Sequence, residues 1–248
     1  VRAEAFGDGA EWLIERAGDL VGADDNALPL PDDAHPKIRE LAQSCAGMRL
    51  SKTHRVFELL TGQVLGQLVT GKESKRGYRN LVLAFEEPAP GPFEGLLLPP
   101  SPRQVRSVPP EEFSTLGIIR RQGETLQQAA LVAKRLEEAA LMAPDDAQRR
   151  LQAVRGIGPW TAGMAGLFGM GHADVIPVGD YNIPSTVAYT LLGERGGDDE
   201  QMLALLEPYA GQRGRVVRWI KSAGTSPPRR GPRSPVRAPP GPRWRSRR

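Results

Sequence analysis

The sequence predicts an all-α fold, on three observations. Apolar residues such as Val56, Leu60 and Val64 recur at helical spacing along most of the 248-residue chain. No segment of useful length alternates apolar and polar residues as a half-buried strand does. Gly156-Ile157-Gly158-Pro159 separates two helical patterns. That order is typical of a tight turn between helices, because glycine permits torsion angles that other residues avoid and proline suits the first helical position.

Helical patterns follow one another through the first half of the chain. A short helix is predicted over 10–16, a loop over 24–36, and a helix over 36–45 with Ile38 and Leu41 on one face. The next helix runs from about Thr53, carries Leu68 on its apolar face and ends at Gly71. A basic helix follows over 72–85, where the charges indicate either a solvated face or phosphate contacts. Six prolines make 86–102 a long loop.

The second half of the chain is predicted to be helical as well. Acidic residues after two prolines mark a helix start at 109–112. Thr125 and Gln128 form a capping-box pattern that opens a long helix, and Asp145 can cap the helix before the glycine turn. Three more helices are predicted over 183–192, 199–206 and 211–220.

The charge of the chain is concentrated in its last 24 residues, 225–248, which contain eight arginines, seven prolines and no acidic residue. Without them, 25 Lys and Arg face 29 Asp and Glu, so the body has a net charge of −4 although the whole chain has +4. With almost no aliphatic residues, this tail is predicted to be disordered. It either adds salt-sensitive affinity for a polyanion or has no function.

Composition excludes several classes of protein. Cys45 is the only cysteine, so neither a disulfide framework nor a four-cysteine iron–sulfur cluster is expected. The three histidines have no metal-binding spacing, and no metal site is predicted. No apolar run approaches the about 20 residues of a membrane span. We therefore expect a cytoplasmic protein.

The glycine turn has two interpretations. Its uncovered amides and the N-terminus of the following helix form a seat suited to a phosphate group. A helical corner without any ligand is equally compatible with this motif alone. The residues around it favour the first interpretation. Val154-Arg155-Gly156-Ile157-Gly158-Pro159-Trp160-Thr161 resembles the hairpin of the helix-hairpin-helix (HhH-GPD) DNA glycosylase superfamily. Asp180, 20 residues after Trp160, occupies the place of that family's catalytic aspartate.

Two further segments carry the resemblance, which covers about residues 35–223 and is nearest to the bacterial 3-methyladenine DNA glycosylase II type. Residues 57–70, ending in Gly66-Gln67-Leu68-Val69-Thr70, resemble the family's helix end, and residues 215–219 resemble its C-terminal helix. The resemblance implies two helical lobes around the hairpin with a cleft between them. It also implies that residues 1–34 are a remnant of an upstream domain or a linker, that 35–224 form the glycosylase domain, and that 225–248 form the tail.

The resemblance also implies roles for single residues. Gly156, Ile157, Gly158, Thr161 and Arg155 would bind DNA, and Asp180 would stabilise the cationic sugar and activate water. Bifunctional relatives carry a lysine where this chain has Trp160, so no Schiff base is expected. Asp180 could instead serve only as a helix cap.

A target base must leave the duplex before it reacts. The resemblance implies that Gln67 and Leu68 form the wedge that fills the gap, although Leu68 could also be an ordinary core leucine. Trp160 and Tyr181 would line the base pocket and favour a cationic alkylated base. Trp160 could equally be core, and Trp219 is expected in the core. Arg155 stands where relatives often have proline, and Pro159 where they often have a basic residue.

We therefore predict a monofunctional DNA glycosylase that removes alkylated purines from double-stranded DNA in base excision repair. It would act as a monomer associated with the nucleoid, without an iron–sulfur cluster or other cofactor. Similar hairpins often hold a monovalent cation on their carbonyl oxygens, and no side chain would reveal it. Two alternatives remain open: a glycosylase for uracil or an oxidised base, and a non-catalytic helix-hairpin-helix module that binds DNA.

Overall fold

The structure is a computed structural model and describes residues 2–228, 236–237 and 244–245. Over these residues the chain is helical, and β-structure is limited to two isolated bridges. The predicted all-α class is confirmed. The helices are α1 (Ala10–Glu15), α2 (Ala17–Leu20), α3 (Pro36–Ser44), α4 (Val56–Leu65), α5 (Gly71–Phe85), α6 (Pro102–Ser107), α7 (Arg120–Leu131), α8 (Ala133–Glu137), α9 (Pro144–Gln152), α10 (Pro159–Gly169), α11 (Ile183–Leu192), α12 (Asp199–Leu206) and α13 (Arg213–Ala223), with 3-10 helices at Pro110–Ser114, Glu138–Leu141 and Glu207–Tyr209.

Local capping determines where several of these helices begin. The hydroxyl of Thr70 and the carboxylate of Glu73 form a capping box at the start of α5. The backbone and side-chain hydrogen bonds from Thr70 hold the pKa of Glu73 below its usual value. Ser101 and Gln104 form a second box at the start of α6, a helix that the proline-rich pattern before it concealed.

Three predicted helix boundaries were wrong. Helix α4 ends at Leu65 and Gly71 begins α5, so the segment between them is a turn. Helix α7 begins at Arg120 because the Gln122 side chain accepts a hydrogen bond from the Ile119 amide at 3.2 Å, which leaves Thr125 inside the helix. Helix α9 starts with a proline at its first position, and Asp145 follows within the first turn without capping it.

Two buried apolar clusters form two helical lobes. The first comprises side chains of α4 to α9, among them Leu60, Leu126 and Leu151. The second joins α3 to α11, α12 and α13. Helix α10 belongs to both lobes, since Ala162 and Ala165 pack in the first cluster and Leu167 packs in the second. The glycine hairpin at its N-terminus therefore lies where the lobes meet.

The N-terminal segment is tied to the second lobe. The Asp25 carboxylate receives two hydrogen bonds from Arg215, at 2.9 and 2.5 Å, and one from the Leu50 amide at 2.8 Å. Burial alone would raise the pKa of Asp25, but these hydrogen bonds and the charge of Arg215 outweigh burial and lower it. Gln212 exchanges two hydrogen bonds with the backbone of Leu28, both 3.0 Å long. Arg215, from the segment that resembles the family's C-terminal helix, thus anchors residues outside the predicted glycosylase domain.

Most of the tail predicted to be disordered lies outside the described residues. Its described parts contact α5 and the segment after the 3-10 helix at Pro110–Ser114. The Trp244 ring packs edge-on against Phe85 with centroids 5.6 Å apart, and the Trp244 amide donates to the hydroxyl of Thr115. The Arg237 amide donates to Glu73, and Arg76 donates to the Arg237 carbonyl oxygen. Within the part of the chain described, no helix has the length and apolarity needed to cross a bilayer.

Candidate active site

The hairpin between α9 and α10 is closely packed on one side and open on the other. Gly156 has φ +92°, and a Cβ there would overlap the Thr125 hydroxyl of α7. Only glycine suits both the torsion angle and the close approach. Gly158 has an extended backbone, and a Cβ there would meet no atom within 4 Å. Gly156 therefore lets the hairpin pack directly against α7. Gly158 leaves the outer surface of the hairpin free of side chains.

The predicted DNA-binding residues of the hairpin differ in what they expose. No side chain caps α10, so the amides of its first turn, including that of Thr161, point out of the helix end without a capping acceptor. Arg155 is exposed beside them. Ile157 is 4% exposed, and its amide donates to the Val154 carbonyl oxygen at 3.0 Å. The structure thus places the Ile157 side chain in the first lobe and its amide within the hairpin.

A turn of residues 66–70, the wedge loop, lies next to the hairpin. The Gln67 side-chain amide donates to the Gly156 carbonyl oxygen at 3.0 Å and to the Thr161 hydroxyl at 2.8 Å. The buried Gln122 of α7 donates to the carbonyl oxygens of Leu65 and Gln67, at 3.1 and 2.7 Å. These bonds join α7, the wedge loop and the hairpin.

Leu68 is the side chain that the wedge loop presents to solvent. It is 69% exposed and has φ +58°, a torsion angle that is uncommon for a residue other than glycine. The alternative of an ordinary core leucine is therefore wrong. The predicted wedge divides into two parts, because Gln67 is engaged with the hairpin and Leu68 projects outward.

Asp180 lies in residues 178–182, the aspartate loop, and its carboxylate accepts three hydrogen bonds. One oxygen, Oδ1, accepts from the amides of Asn182 and Ile183, both at 2.8 Å. The other, Oδ2, accepts from the Trp160 indole Nε1 at 2.8 Å. Three of the about four lone-pair positions of a carboxylate are thus occupied. Asp180 caps the start of α11 and also holds a fixed, half-buried orientation beside the hairpin.

Trp160 is half-buried between the two loops. A Cβ on Gly66 would lie 3.4 Å from Cη2 of its ring, so the wedge loop passes close to the indole. The structure therefore brings Trp160 into contact with Asp180 and the wedge loop, outside the buried residues of either core. Trp219, by contrast, is 4% exposed and lies in the second core, as expected. Tyr181, the other predicted pocket wall, is 94% exposed.

Three residues of this arrangement were missed by the sequence reasoning. Gln122 supports the wedge loop, Thr125 receives the hairpin, and Asp199 of α12 accepts a hydrogen bond from the Gly179 amide at 2.9 Å. Gln122 had no distinguishing signal, and Thr125 was assigned to a capping box and not to the hairpin. Asp199 was hidden in an acidic first turn, which is common at helix starts.

A surface cavity of about 430 Å³ lies on another side of the hairpin. It is bordered by the start of α9, by Gln152 and Pro159, and by the ion-paired Asp174 and Arg213, but not by Asp180 or Trp160. In the described part of the chain, no group of three or more His, Cys, Asp or Glu side chains is arranged to hold a metal ion. The hydrogen-bonded carboxylate of Asp180 is the acidic group that the structure places beside the hairpin.

The sequence is similar to those of two curated bacterial proteins. It is 28% identical over 166 residues to the probable bifunctional transcriptional activator/DNA repair enzyme AlkA of Mycobacterium tuberculosis, covering 65% of this chain and 32% of the relative. It is 26% identical over 98 residues to the putative DNA-3-methyladenine glycosylase YfjP of Bacillus subtilis, covering 38% of this chain and 34% of that relative. The matches thus span about a third of each curated relative. No family model matches the chain.

The fold is similar to those of solved glycosylases. The 3-methyladenine DNA-glycosylase of Archaeoglobus fulgidus aligns with a TM-score of 0.64 at 19% identity, over 85% of this chain and 73% of its own. The 8-oxoguanine glycosylase/lyase of Clostridium acetobutylicum, in complex with DNA, aligns with a TM-score of 0.66 at 14% identity, over 85% and 73%. Such identities establish the fold alone. The chain has the helix-hairpin-helix DNA glycosylase fold, and its predicted resemblance to that superfamily is confirmed.

Proposed function

We propose that this chain is a monofunctional DNA glycosylase that hydrolyses the N-glycosidic bond of alkylated purines, of the 3-methyladenine type, in double-stranded DNA. The observation that carries the proposal is the Asp180 carboxylate, which three donors hold beside a hairpin whose first-turn amides are uncapped. Such a reaction needs a phosphate-binding site and, next to it, a carboxylate in a fixed position. A module that only binds DNA would not need the carboxylate.

The chemistry follows from the charge that develops during the reaction. When the bond between C1′ and the base nitrogen breaks, its electron pair leaves with the base and positive charge develops on the sugar. The Asp180 carboxylate stabilises that charge. Water then forms a bond to C1′, and its proton passes to the carboxylate and on to solvent. A base alkylated on nitrogen is cationic and departs as a neutral molecule, so no general acid is required.

Trp160 supports the monofunctional assignment. Relatives that cleave the DNA strand carry a lysine amine at this position, and an indole has no lone pair available to attack C1′. The indole N–H donates instead to Asp180 at 2.8 Å. The half-buried ring also offers an electron-rich face, which attracts a cationic base.

DNA would be held from two sides. The open amides of the hairpin and the exposed Arg155 would bind the backbone, while Leu68 would enter the gap left by the extruded nucleotide. The name of the Bacillus subtilis relative, a putative DNA-3-methyladenine glycosylase, supports alkylated purines as substrates. Action as a monomer at the nucleoid, and a monovalent cation on the hairpin, stay predictions.

The test is excision by the purified protein from duplexes that carry a single 3-methyladenine, hypoxanthine, uracil or 8-oxoguanine. We expect alkali-labile sites at alkylated purines and no strand cleavage before alkali treatment. Asp180→Asn should bind the same duplex without excising the base, and Asp145→Asn, an exposed aspartate in the first turn of α9, is the matched control. Excision of uracil or 8-oxoguanine alone would reassign the lesion. Binding without excision of any of the four would leave a DNA-binding module.

A further inference from the structure

The aspartate loop is fastened to α12 at the residue just before Asp180. The Gly179 amide donates to Oδ2 of Asp199 at 2.9 Å. Gly179 has φ +86°, which lies in the left-handed region that favours glycine. The N–H of Gly179 belongs to the peptide between Val178 and Gly179, so the bond fixes the backbone one residue before Asp180.

Asp199 is not needed to start its own helix. The residue before it, Asp198, is the N-cap of α12 and accepts a hydrogen bond from the Gln201 amide at 2.9 Å. The Asp199 carboxylate turns away from that helix end toward Gly179. Its second oxygen, Oδ1, is buried and has no hydrogen-bond partner among the described residues. A buried acceptor without a partner costs stability, so helix stability alone does not explain an aspartate here.

We propose that Asp199 is a positioning residue that holds the Gly179 amide and thereby keeps the Asp180 carboxylate within hydrogen-bond distance of the Trp160 indole nitrogen. The inference rests on the proposed function, because it assigns Asp199 a part in the same reaction. Two carboxylates then divide the work: Asp180 faces the reacting sugar, and Asp199 orients the backbone that carries Asp180. Among the described residues of α12 and its N-cap, Asp199 alone hydrogen-bonds to the aspartate loop, while Asp198 bonds within its own helix.

The first experiment compares three variants, Asp199→Ala, Asp199→Asn and Asp198→Ala, in the full chain. Single-turnover excision of 3-methyladenine and the half-saturating DNA concentration are measured for each. Displacement of a catalytic group by about 1 Å costs up to about 100-fold in rate. We expect Asp199→Ala to lower the rate about tenfold or more without changing the half-saturating concentration. Asp199→Asn should keep most of the rate, because its carbonyl oxygen can still accept from Gly179.

Asp198→Ala is the matched control, since it removes the cap of the same helix and leaves the bond to Gly179 intact. It should lower the melting temperature, because α12 loses its N-cap, and leave the rate within about twofold. An equal loss of rate in Asp198→Ala and Asp199→Ala would overturn the inference. So would a rate for Asp199→Ala that matches the wild type.

A second measurement separates failure of this inference from failure of the proposed function. Hydrogen exchange at the Gly179 amide, followed by NMR, requires no activity. The amide should be protected in the wild type and in Asp198→Ala and lose protection in Asp199→Ala. If the wild type excises no lesion, the proposed function fails on its own account. If Gly179 exchanges equally in all variants, Asp199 does not hold the loop.

Discussion

The wedge loop and the aspartate loop lie on either side of Trp160 and are held by opposite chemistry. Neutral side-chain amides support the wedge loop by donating to carbonyl oxygens, from Gln122 to Gln67 at 2.7 Å and from Gln67 to Gly156 at 3.0 Å. Carboxylates support the aspartate loop by accepting from N–H groups, Asp180 from Ile183 and Asp199 from Gly179. One loop presents an apolar side chain and the other a charge.

This difference matches what each loop is proposed to do. Hydrogen bonds to an ionised group are roughly twice as strong as neutral ones, and a carboxylate brings negative charge to the place where the sugar becomes positive. A side chain that only fills a gap needs a rigid support without charge. The wedge loop should therefore govern DNA binding and base extrusion, and the aspartate loop should govern the rate of bond cleavage.

The largest effect is expected from the pair Asp180 and Trp160. Asp180→Asn should lower single-turnover excision by about 10²–10³-fold, since it removes the charge that stabilises the transition state. Trp160→Phe keeps an aromatic ring, loses the N–H donor, and should cost about tenfold. Combining both should cost no more than Asp180→Asn alone, because the two residues act as one unit.

Trp219→Phe provides the control for this pair. Trp219 is a buried tryptophan of the second lobe whose indole nitrogen has no hydrogen-bond partner among the described residues. Its replacement should leave the rate unchanged. Additive losses in the double variant would show that the indole acts on the base and not through the carboxylate.

Gln67→Ala should have the next largest effect, and that effect should be on DNA binding and not on the excision rate. It breaks both bonds between the wedge loop and the hairpin and leaves the Thr161 hydroxyl and the Gly156 carbonyl oxygen without that donor. We expect the half-saturating DNA concentration to rise several-fold while the saturated rate changes little. Gln43→Ala, at an exposed position of α3, is the control. A fall in the saturated rate without a change in the half-saturating DNA concentration would contradict the assignment of DNA binding to the wedge loop.

Leu68→Ala separates function from stability within the wedge loop. Leu68 is 69% exposed, so its truncation should change the free energy of unfolding by no more than about 0.5 kcal/mol. Leu65→Ala, one turn earlier and 1% exposed, should cost about 2–5 kcal/mol. Stopped-flow fluorescence of a base analogue beside the lesion should show slower extrusion for Leu68→Ala. A destabilisation equal to that of Leu65→Ala would mean that Leu68 is packed in the folded protein.

Deletion of 225–248 should have the smallest effect on excision. The deletion removes eight arginines, so the logarithm of DNA affinity should fall less steeply with the logarithm of salt concentration. Lesion preference should not change, since the described residues of the tail contact α5, α11 and Thr115 and neither of the two loops. An unchanged salt dependence would show that the tail does not touch DNA.

The two loops also differed in how far the sequence predicted them. The aspartate loop was located, because the hairpin motif and the 20-residue spacing place Asp180 near Trp160, and local capping fixes its carboxylate. The wedge loop was predicted only in part. The resemblance pointed to Gln67 and Leu68, but Leu68 continued an apolar helical pattern that concealed the turn, which depends on Gln122 and on Gly156, 89 residues away from Gln67. Periodicity reports local preference, and contacts between distant segments can override it.

Local sequence patterns also failed to predict the residues that hold the hairpin and the two loops in place. Helix α7 was predicted to begin at Thr125, but the Gln122 side chain starts it earlier, and Thr125 then becomes the surface against which Gly156 packs. Asp199 lies in an ordinary acidic helix start, and its bond to Gly179 spans 20 residues. Residues that touch the proposed substrate were found through motifs, while residues that hold them in place were found only in the structure.

The close packing of Gly156 against Thr125 fixes the hairpin on helix α7. Helix α7 touches the hairpin at Thr125 and reaches the wedge loop through Gln122, less than one helical turn away. One short rigid segment thus sets the spacing between the phosphate seat and Leu68. Under the proposed function, this fixed spacing would select DNA in which the distance from the bound phosphate to the vacated base position matches the distance from the hairpin amides to Leu68.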